Sequence, residues 1–214
     1  MKTNDNLFPK LDQFVSQIHV DQVPIERKTI LQPLIDFIKY KAENEEPILI
    51  NFICTHNSRR SHFAQIWAQT AAAHFDVKNV TCFSGGTNTT ALFPKVIETL
   101  KEIGFEINLL AAANNPIYTI KYSQNVNPII GFSKPVDHKF NPVSGFAAIM
   151  TCSQADGECP FIAGAEKRIA INYDDPKEFD NTSLQSVKYH ERSLQIATEM
   201  FYIFSQIKYN HGNL

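Results

Sequence analysis

The run Ile48-Leu49-Ile50-Asn51-Phe52-Ile53 is too short for a helix, is rich in isoleucine and leads directly into Cys54. Such a run reads as a strand buried on both faces, the kind found in a parallel sheet. A polar loop follows, and then Phe63, Ile66, Trp67 and Ala71 recur at helical spacing. A second strand is expected at 80–83, stopped by Gly85-Gly86, and a second helix at 92–103, stopped by Gly104. Strand, loop, helix, strand, helix in that order is the pattern of a doubly wound α/β fold. Further buried strands are expected at 146–151, ending at Cys152, and at 168–172, ending at Asp174-Asp175-Pro176. A last helix is expected at 185–206. The expected class is therefore α/β, with a central four-stranded parallel sheet flanked by helices.

Two segments do not belong to that pattern. Residues 1–46 read as a helical extension. Leu11, Phe14, Val15 and Ile18 recur at helical spacing, and Ile30, Leu31, Leu34, Ile35 and Ile38 resume it after Pro24. These helices are candidates for packing on the sheet, for a homodimer interface or for docking a partner. Residues 117–122 alternate with β character, 125–128 form a turn and 129–132 return. They read as a hairpin inserted at about 114–140 into a main domain spanning 47–214.

Composition excludes several classes. Of 214 residues, 43% are hydrophobic, which is enough for a core and rules out wholesale disorder. The net charge of −2 offers no basic excess for nucleic acid or an anionic membrane. The apolar stretch at 48–54 is far too short to span a bilayer. The first ten residues hold no hydrophobic signal region, so a cytoplasmic location is expected. Four cysteines in such a chain, Cys54, Cys82, Cys152 and Cys159, invite a catalytic, redox or metal role rather than a disulfide scaffold.

Cys54-Thr55-His56-Asn57-Ser58-Arg59-Arg60-Ser61 lies between the buried strand and the helix. The spacing of Cys54 and Arg60 alone carries little weight; its position carries more. A short loop at a helix start can turn successive backbone N–H groups inward and make a nest for a tetrahedral oxyanion. The helix dipole adds positive potential, which also favours thiolate over thiol at Cys54. Arg60 can grip two oxygens of the anion, and Ser61 can donate to the sulfur. Arg59 either adds a second cation or lies on the solvated helix start.

This loop resembles the active-site loop of the low-molecular-weight protein tyrosine phosphatases and of the arsenate reductases built on the same fold. Phe83-Ser84-Gly85-Gly86-Thr87 is similar to the family's second strand and turn, 94–105 to its second helix, and Asp175-Pro176 to the Asp-Pro that supplies the general acid. The resemblance covers about 47–110 and 146–207. It implies the phosphatase-I type fold, Cys54 as nucleophile, Arg60 and the amides of Thr55, His56, Asn57, Ser58 and Arg59 as oxyanion holders, and Asp175 as proton donor. It implies no tightly bound cofactor and no metal, although phosphate or sulfate would fit the loop. The family carries Gly where this chain has His56; if that position needs positive φ, His56 implies strain or a shifted loop. Cation-binding reductases use a Glu where this chain has Gln65.

Cys152-Ser153-Gln154-Ala155-Asp156-Gly157-Glu158-Cys159-Pro160 is similar to a stretch found in thioredoxin-coupled arsenate reductases. A phosphatase needs one thiol. Reducing arsenate needs two electrons, so a second thiol must attack the first, and a third can carry the disulfide outward. The expected function is therefore arsenate reduction by a relay of Cys54, Cys152 and Cys159, with thioredoxin as reductant. The alternatives are a phosphatase whose extra cysteines protect Cys54, and a non-catalytic oxyanion or metal sensor. A zinc set of Cys54, Cys152, Cys159 and His56 lacks the usual paired C-x2-C ligand spacing. No tyrosine pair follows Asp175-Pro176 to grip an aryl phosphate; Lys177, Glu178 and Phe179 stand there.

Overall fold

The computed structural model describes residues 7–158 and 161–207. The elements run α1 (Pro9–Val15), α2 (Ile25–Glu43), β1 (Ile48–Cys54), α3 (Arg60–His74), β2 (Val80–Gly86), α4 (Pro94–Ile103) and β3 (Glu106–Ala111). They continue with β4 (Ile117–Lys121), β5 (Ile129–Gly131), β6 (Phe146–Met150), α5 (Ser153–Glu158), β7 (Ala165–Ala170) and α6 (Gln185–Ser205). Among the described residues, β2, β1, β6 and β7 form a parallel sheet in that order. Ile48, Ile50, Phe52 and Ile53 of β1 are fully buried, as a central strand covered on both faces requires.

Parallel register brings the chemistry to one end of this sheet. Cys54 pairs with Gly86, the last residue of β2, and Ile53 pairs with Met150, the last residue of β6. The loops after β1, β2 and β6 therefore converge, as ligand sites do at the carboxyl edge of open α/β sheets. Helix α3 packs between the sheet and α6. Its Trp67 is fully buried and donates to Ser193 Oγ of α6 at 2.9 Å.

The hairpin is present, with one strand more than the pattern suggested. Tyr118, Thr119 and Ile120 of β4 pair antiparallel with Gly131, Ile130 and Ile129 of β5, while β3 pairs with the other edge of β4. Only Ile107 of β3 is buried, and Leu109 and Leu110 are exposed, so this edge strand lacks the alternation that marks a half-buried one. Strand β7 begins and ends earlier than the expected 168–172.

The N-terminal helices share the main core. Leu11, Val15, Leu31, Leu34, Ile35 and Ile38 are buried with residues of α3, α4 and α6. Phe14 stacks on Trp67 at 5.6 Å between ring centroids. Gly104 closes α4 with φ +125°, and a Cβ there would lie 2.5 Å from the amide nitrogen of Leu11, so glycine lets α1 cross closely. The chain itself thus covers the buried faces of α1 and α2, while Ile25, Ile30 and Tyr40 of α2 stay exposed.

Candidate active site

Loop 54–60 is held by its carbonyls. Cys54 O accepts from Thr87 N–H at 3.2 Å, Thr55 O from Asn88 N–H at 2.8 Å, and Ser58 O from Phe93 N–H at 3.0 Å. His56 O accepts from Ser133 Oγ at 2.9 Å and Thr90 Oγ1 at 3.2 Å. Arg59 O accepts from His62 and Phe63 N–H, both at 3.1 Å. In a trans peptide the N–H points opposite the preceding carbonyl. With the carbonyls turned out to the scaffold, the amides of residues 55–60 turn inward, and among the described residues none has a backbone acceptor. That is the geometry of an anion nest at a helix start. Gly86 permits it: a Cβ there would sit 2.8 Å from both Asn57 N and Thr55 O.

The left-handed residue of the loop is Asn57, at φ +44°, and not His56. Asn tolerates that conformation far better than most residues. His56 is therefore unstrained, and its side chain is exposed. Asn57 is fully buried. Its Nδ2 donates to Ser61 Oγ at 2.9 Å, and Ser61 Oγ lies 3.1 Å from Cys54 Sγ. Ser61 thus stands against the sulfur, where the motif suggested.

Arg60 and Arg59 face different ways. Arg60 donates to Tyr173 O at 2.8 Å and to Asp175 Oδ2 at 2.6 Å. Asp175 also accepts from Lys177 N–H at 3.0 Å, capping the short turn at 176–179. Asp174 turns away and pairs with Arg192 at 3.1 Å. Arg59, grouped by motif with the oxyanion holders, has its guanidinium elsewhere. It bonds Asp180 at 2.5 Å and Tyr189 OH at 2.6 Å, and lies 3.9 Å from the centroid of the Phe93 ring. Only its amide remains for the nest. Burial works against ionising Asp180, but bonds from Tyr189, Gln185 and Arg59 outweigh it and hold that carboxyl below its usual value. A cleft of about 300 Å³ opens beside the loop between His56, Arg59, Thr90, Phe93 and Lys177.

Cys54 closes β1, Cys152 lies two residues beyond the end of the neighbouring β6, and both are buried. Thr55 Oγ1 lies 3.5 Å from Cys152 Sγ and 3.3 Å from Gln154 Oε1. Cys152 Sγ also accepts from Ala155 N–H at 3.4 Å at the start of α5. Cys159 lies outside the described residues. Cys82 is a core residue whose thiol burial pushes strongly up. Gln65 donates to Cys82 O at 2.9 Å.

Three residues of the site carried no motif signal. Lys134 and His62 are buried beneath the loop, and the Tyr173 carbonyl takes Arg60. Ser84, noticed only as part of the second strand, lies between Lys134 and His62 at 3.4 Å from each. Away from the loop, His190 bonds Glu102 at 2.6 Å, His138 accepts from Phe140 N–H at 3.1 Å, and His74 packs on Phe75 and Phe201.

An arsenate reductase of Staphylococcus aureus strain Newman is 33% identical over 152 residues, which are 71% of this chain and 94% of that protein. An arsenate reductase 2 of Staphylococcus epidermidis strain RP62A is 29% identical over 127 residues, 59% of this chain and 77% of its own length. A low-molecular-weight phosphotyrosine phosphatase from Vibrio cholerae O395 superposes with a TM-score of 0.52 at 14% identity, covering 74% of this chain and 95% of its own. No family model matches the chain.

Proposed function

The chain belongs to the arsenate reductase family of the low-molecular-weight protein tyrosine phosphatase superfamily, and we propose that it reduces arsenate to arsenite through Cys54. The amides of residues 55–60 and Arg60 hold the oxyanion. Cys54 attacks arsenic, and Asp175 protonates the oxygen that leaves. Cys152 then attacks Cys54 Sγ. The sulfur–arsenic bond breaks with its electron pair left on arsenic, so As(V) becomes As(III), arsenite departs and a Cys54–Cys152 disulfide remains. Cys159 attacks Cys152, freeing Cys54, and thioredoxin reduces the Cys152–Cys159 disulfide.

The observation that carries this reading is that two buried thiols lie at or just beyond the ends of neighbouring strands, with Thr55 Oγ1 3.5 Å from Cys152 Sγ. Cys54 is 4% exposed and Cys152 1% exposed, so an external reductant has no direct access to a disulfide between them. A third thiol that carries the disulfide outward answers that need. We assign the chemistry to residues from Pro47 onward and read 1–46 as an addition that braces them. The expected partners are a small oxyanion and cytoplasmic thioredoxin.

A thioredoxin-coupled arsenate assay, run beside an aryl phosphate assay, tests the reading. Cys54→Ser should abolish turnover, and Cys152→Ser should abolish arsenate reduction while leaving oxyanion binding intact. Unchanged arsenate turnover in Cys152→Ser rules the relay out. Strong phosphate ester hydrolysis without arsenate turnover makes the protein a phosphatase instead.

A further inference from the structure

Lys134 carries a charge that the proposed chemistry does not use. Its side chain is 1% exposed, and among the described residues no carboxylate pairs with it. A buried ammonium without a counter-charge is among the more costly things a fold can hold. Burial pushes Lys134 down to about 7. Such a cost points to a use.

Its neighbours lead to the loop. Lys134 Nζ donates to Ser84 Oγ at 3.4 Å and lies 4.7 Å from the centroid of the Phe132 ring. Ser84 Oγ is 3.4 Å from His62 Nδ1, and His62 Nε2 is 2.9 Å from the carbonyl oxygen of Asn57. The direction of this chain follows from its last link. A carbonyl only accepts, so Nε2 carries the imidazole proton. Burial, helped by the charge on Lys134, holds His62 down to about 3, so the ring is neutral and Nδ1 is bare. Nδ1 accepts from the Ser84 hydroxyl, which leaves Ser84 its lone pairs for Lys134. Every link thus runs from the ammonium to Asn57, the left-handed residue of the loop. The main chain adds a second tie: Lys134 N–H donates to Asn57 Oδ1 at 2.9 Å, and Lys134 O accepts from Gly86 N–H at 2.9 Å.

We propose that Lys134 is a positioning residue that gives the loop a built-in cation, holding Asn57 through Ser84 and His62 and raising the loop's affinity for a tetrahedral oxyanion. The proposal rests on the reading that this loop binds such an anion. An ammonium in the low-dielectric interior acts on the loop with little screening. Its main-chain ties do not depend on the side chain, so substitution removes the charge and leaves them in place.

The test uses inorganic phosphate as probe, at pH 6, about a unit below the value of about 7 to which burial pushes Lys134, so that most of it is charged. Phosphate Kd is measured by calorimetry on the full chain, with arsenate KM and kcat measured in parallel. Lys134→Met should raise Kd and KM tenfold or more, with kcat changed less than threefold and Tm unchanged or higher, because an unpaired buried charge is gone. Ammonium chloride should restore phosphate binding to Lys134→Ala, against tetramethylammonium chloride at equal ionic strength, and should leave the wild-type protein unaffected. A Lys134→Met Kd within threefold of wild type overturns the proposal. So does loss of binding only alongside a lowered Tm in both variants, without rescue by ammonium. Wild-type protein that binds neither phosphate nor arsenate overturns the loop reading itself.

Discussion

Arg60 donates to Asp175 Oδ2 at 2.6 Å, so the residue proposed to hold the oxyanion and the residue proposed to supply its proton hold one another. The same guanidinium is anchored on the Tyr173 carbonyl, two residues before Asp175. An arriving oxyanion therefore competes with Asp175 for Arg60. The exchange would release the carboxyl at the moment a proton donor is needed.

Asp175→Asn keeps the shape of the side chain and removes the acid. A positioned general acid contributes typically about 10²–10⁴-fold. We expect arsenate kcat to fall by about 10²-fold or more, with phosphate binding unchanged or tighter because Arg60 loses its carboxylate rival. Steady-state kinetics beside phosphate calorimetry check both parts.

The two adjacent arginines should separate cleanly. Arg60→Ala removes the fork that faces the anion and should cost about 10²-fold or more in kcat/KM. Arg59→Ala leaves the nest amide in place and breaks the bonds to Asp180 and Tyr189 and the stack on Phe93. It should lower stability by about 1–3 kcal/mol while changing phosphate Kd by less than about threefold. Urea unfolding and calorimetry on the pair distinguish these effects.

His62 makes stability fall in acid. Burial first, and the charge on Lys134 second, hold it at about 3 in the folded protein, against about 6.5 in an unfolded chain. Between those values the unfolded chain binds more protons, so the contribution is full above about pH 6.5 and drains away as pH falls toward 3. Its share of the loss between pH 7 and pH 4 is on the order of 3 kcal/mol. Replacing His62 by Gln should flatten that part of the urea-midpoint profile; an unaltered slope would assign the acid sensitivity to other groups.

Arg27 of the N-terminal helix α2 braces the segment that carries Asp175. It bonds both carboxylate oxygens of Glu199, at 2.9 and 2.7 Å, and the Asn172 carbonyl at 3.3 Å, while Tyr173 OH donates to Glu199 at 2.8 Å. Glu199 is 3% exposed. Arg27→Met strands a buried carboxylate and should cost roughly 3 kcal/mol. The double variant with Glu199→Leu should recover much of that loss. Equilibrium urea unfolding of the four proteins gives the coupling directly.

The alternation, apolar runs and turn chemistry of the sequence were sufficient for the four-stranded sheet, the hairpin strands and every helix but the short α5, because those signals are local. They were also enough to put Cys54 and Arg60 at a strand-to-helix loop and Cys152 near a strand end, although β6 stops at Met150, two residues before it. Strand β3 escaped because only Ile107 among its residues is buried, so it has no periodicity to read. The direction of Arg59 depended on Asp180 and Tyr189, more than a hundred residues away in the chain. The seat of Lys134 under Asn57 depended on how the inserted hairpin packs against β2 and the loop. Hydrogen bonds between segments so far apart exist only after the sheet has brought them together. The sequence on its own determined the parts of the site and the sheet end to which they belong. Only the packed structure decided which charges meet there: Arg60 with Asp175, Arg59 with Asp180, and Lys134 with the neutral Ser84–His62 chain that ends on Asn57.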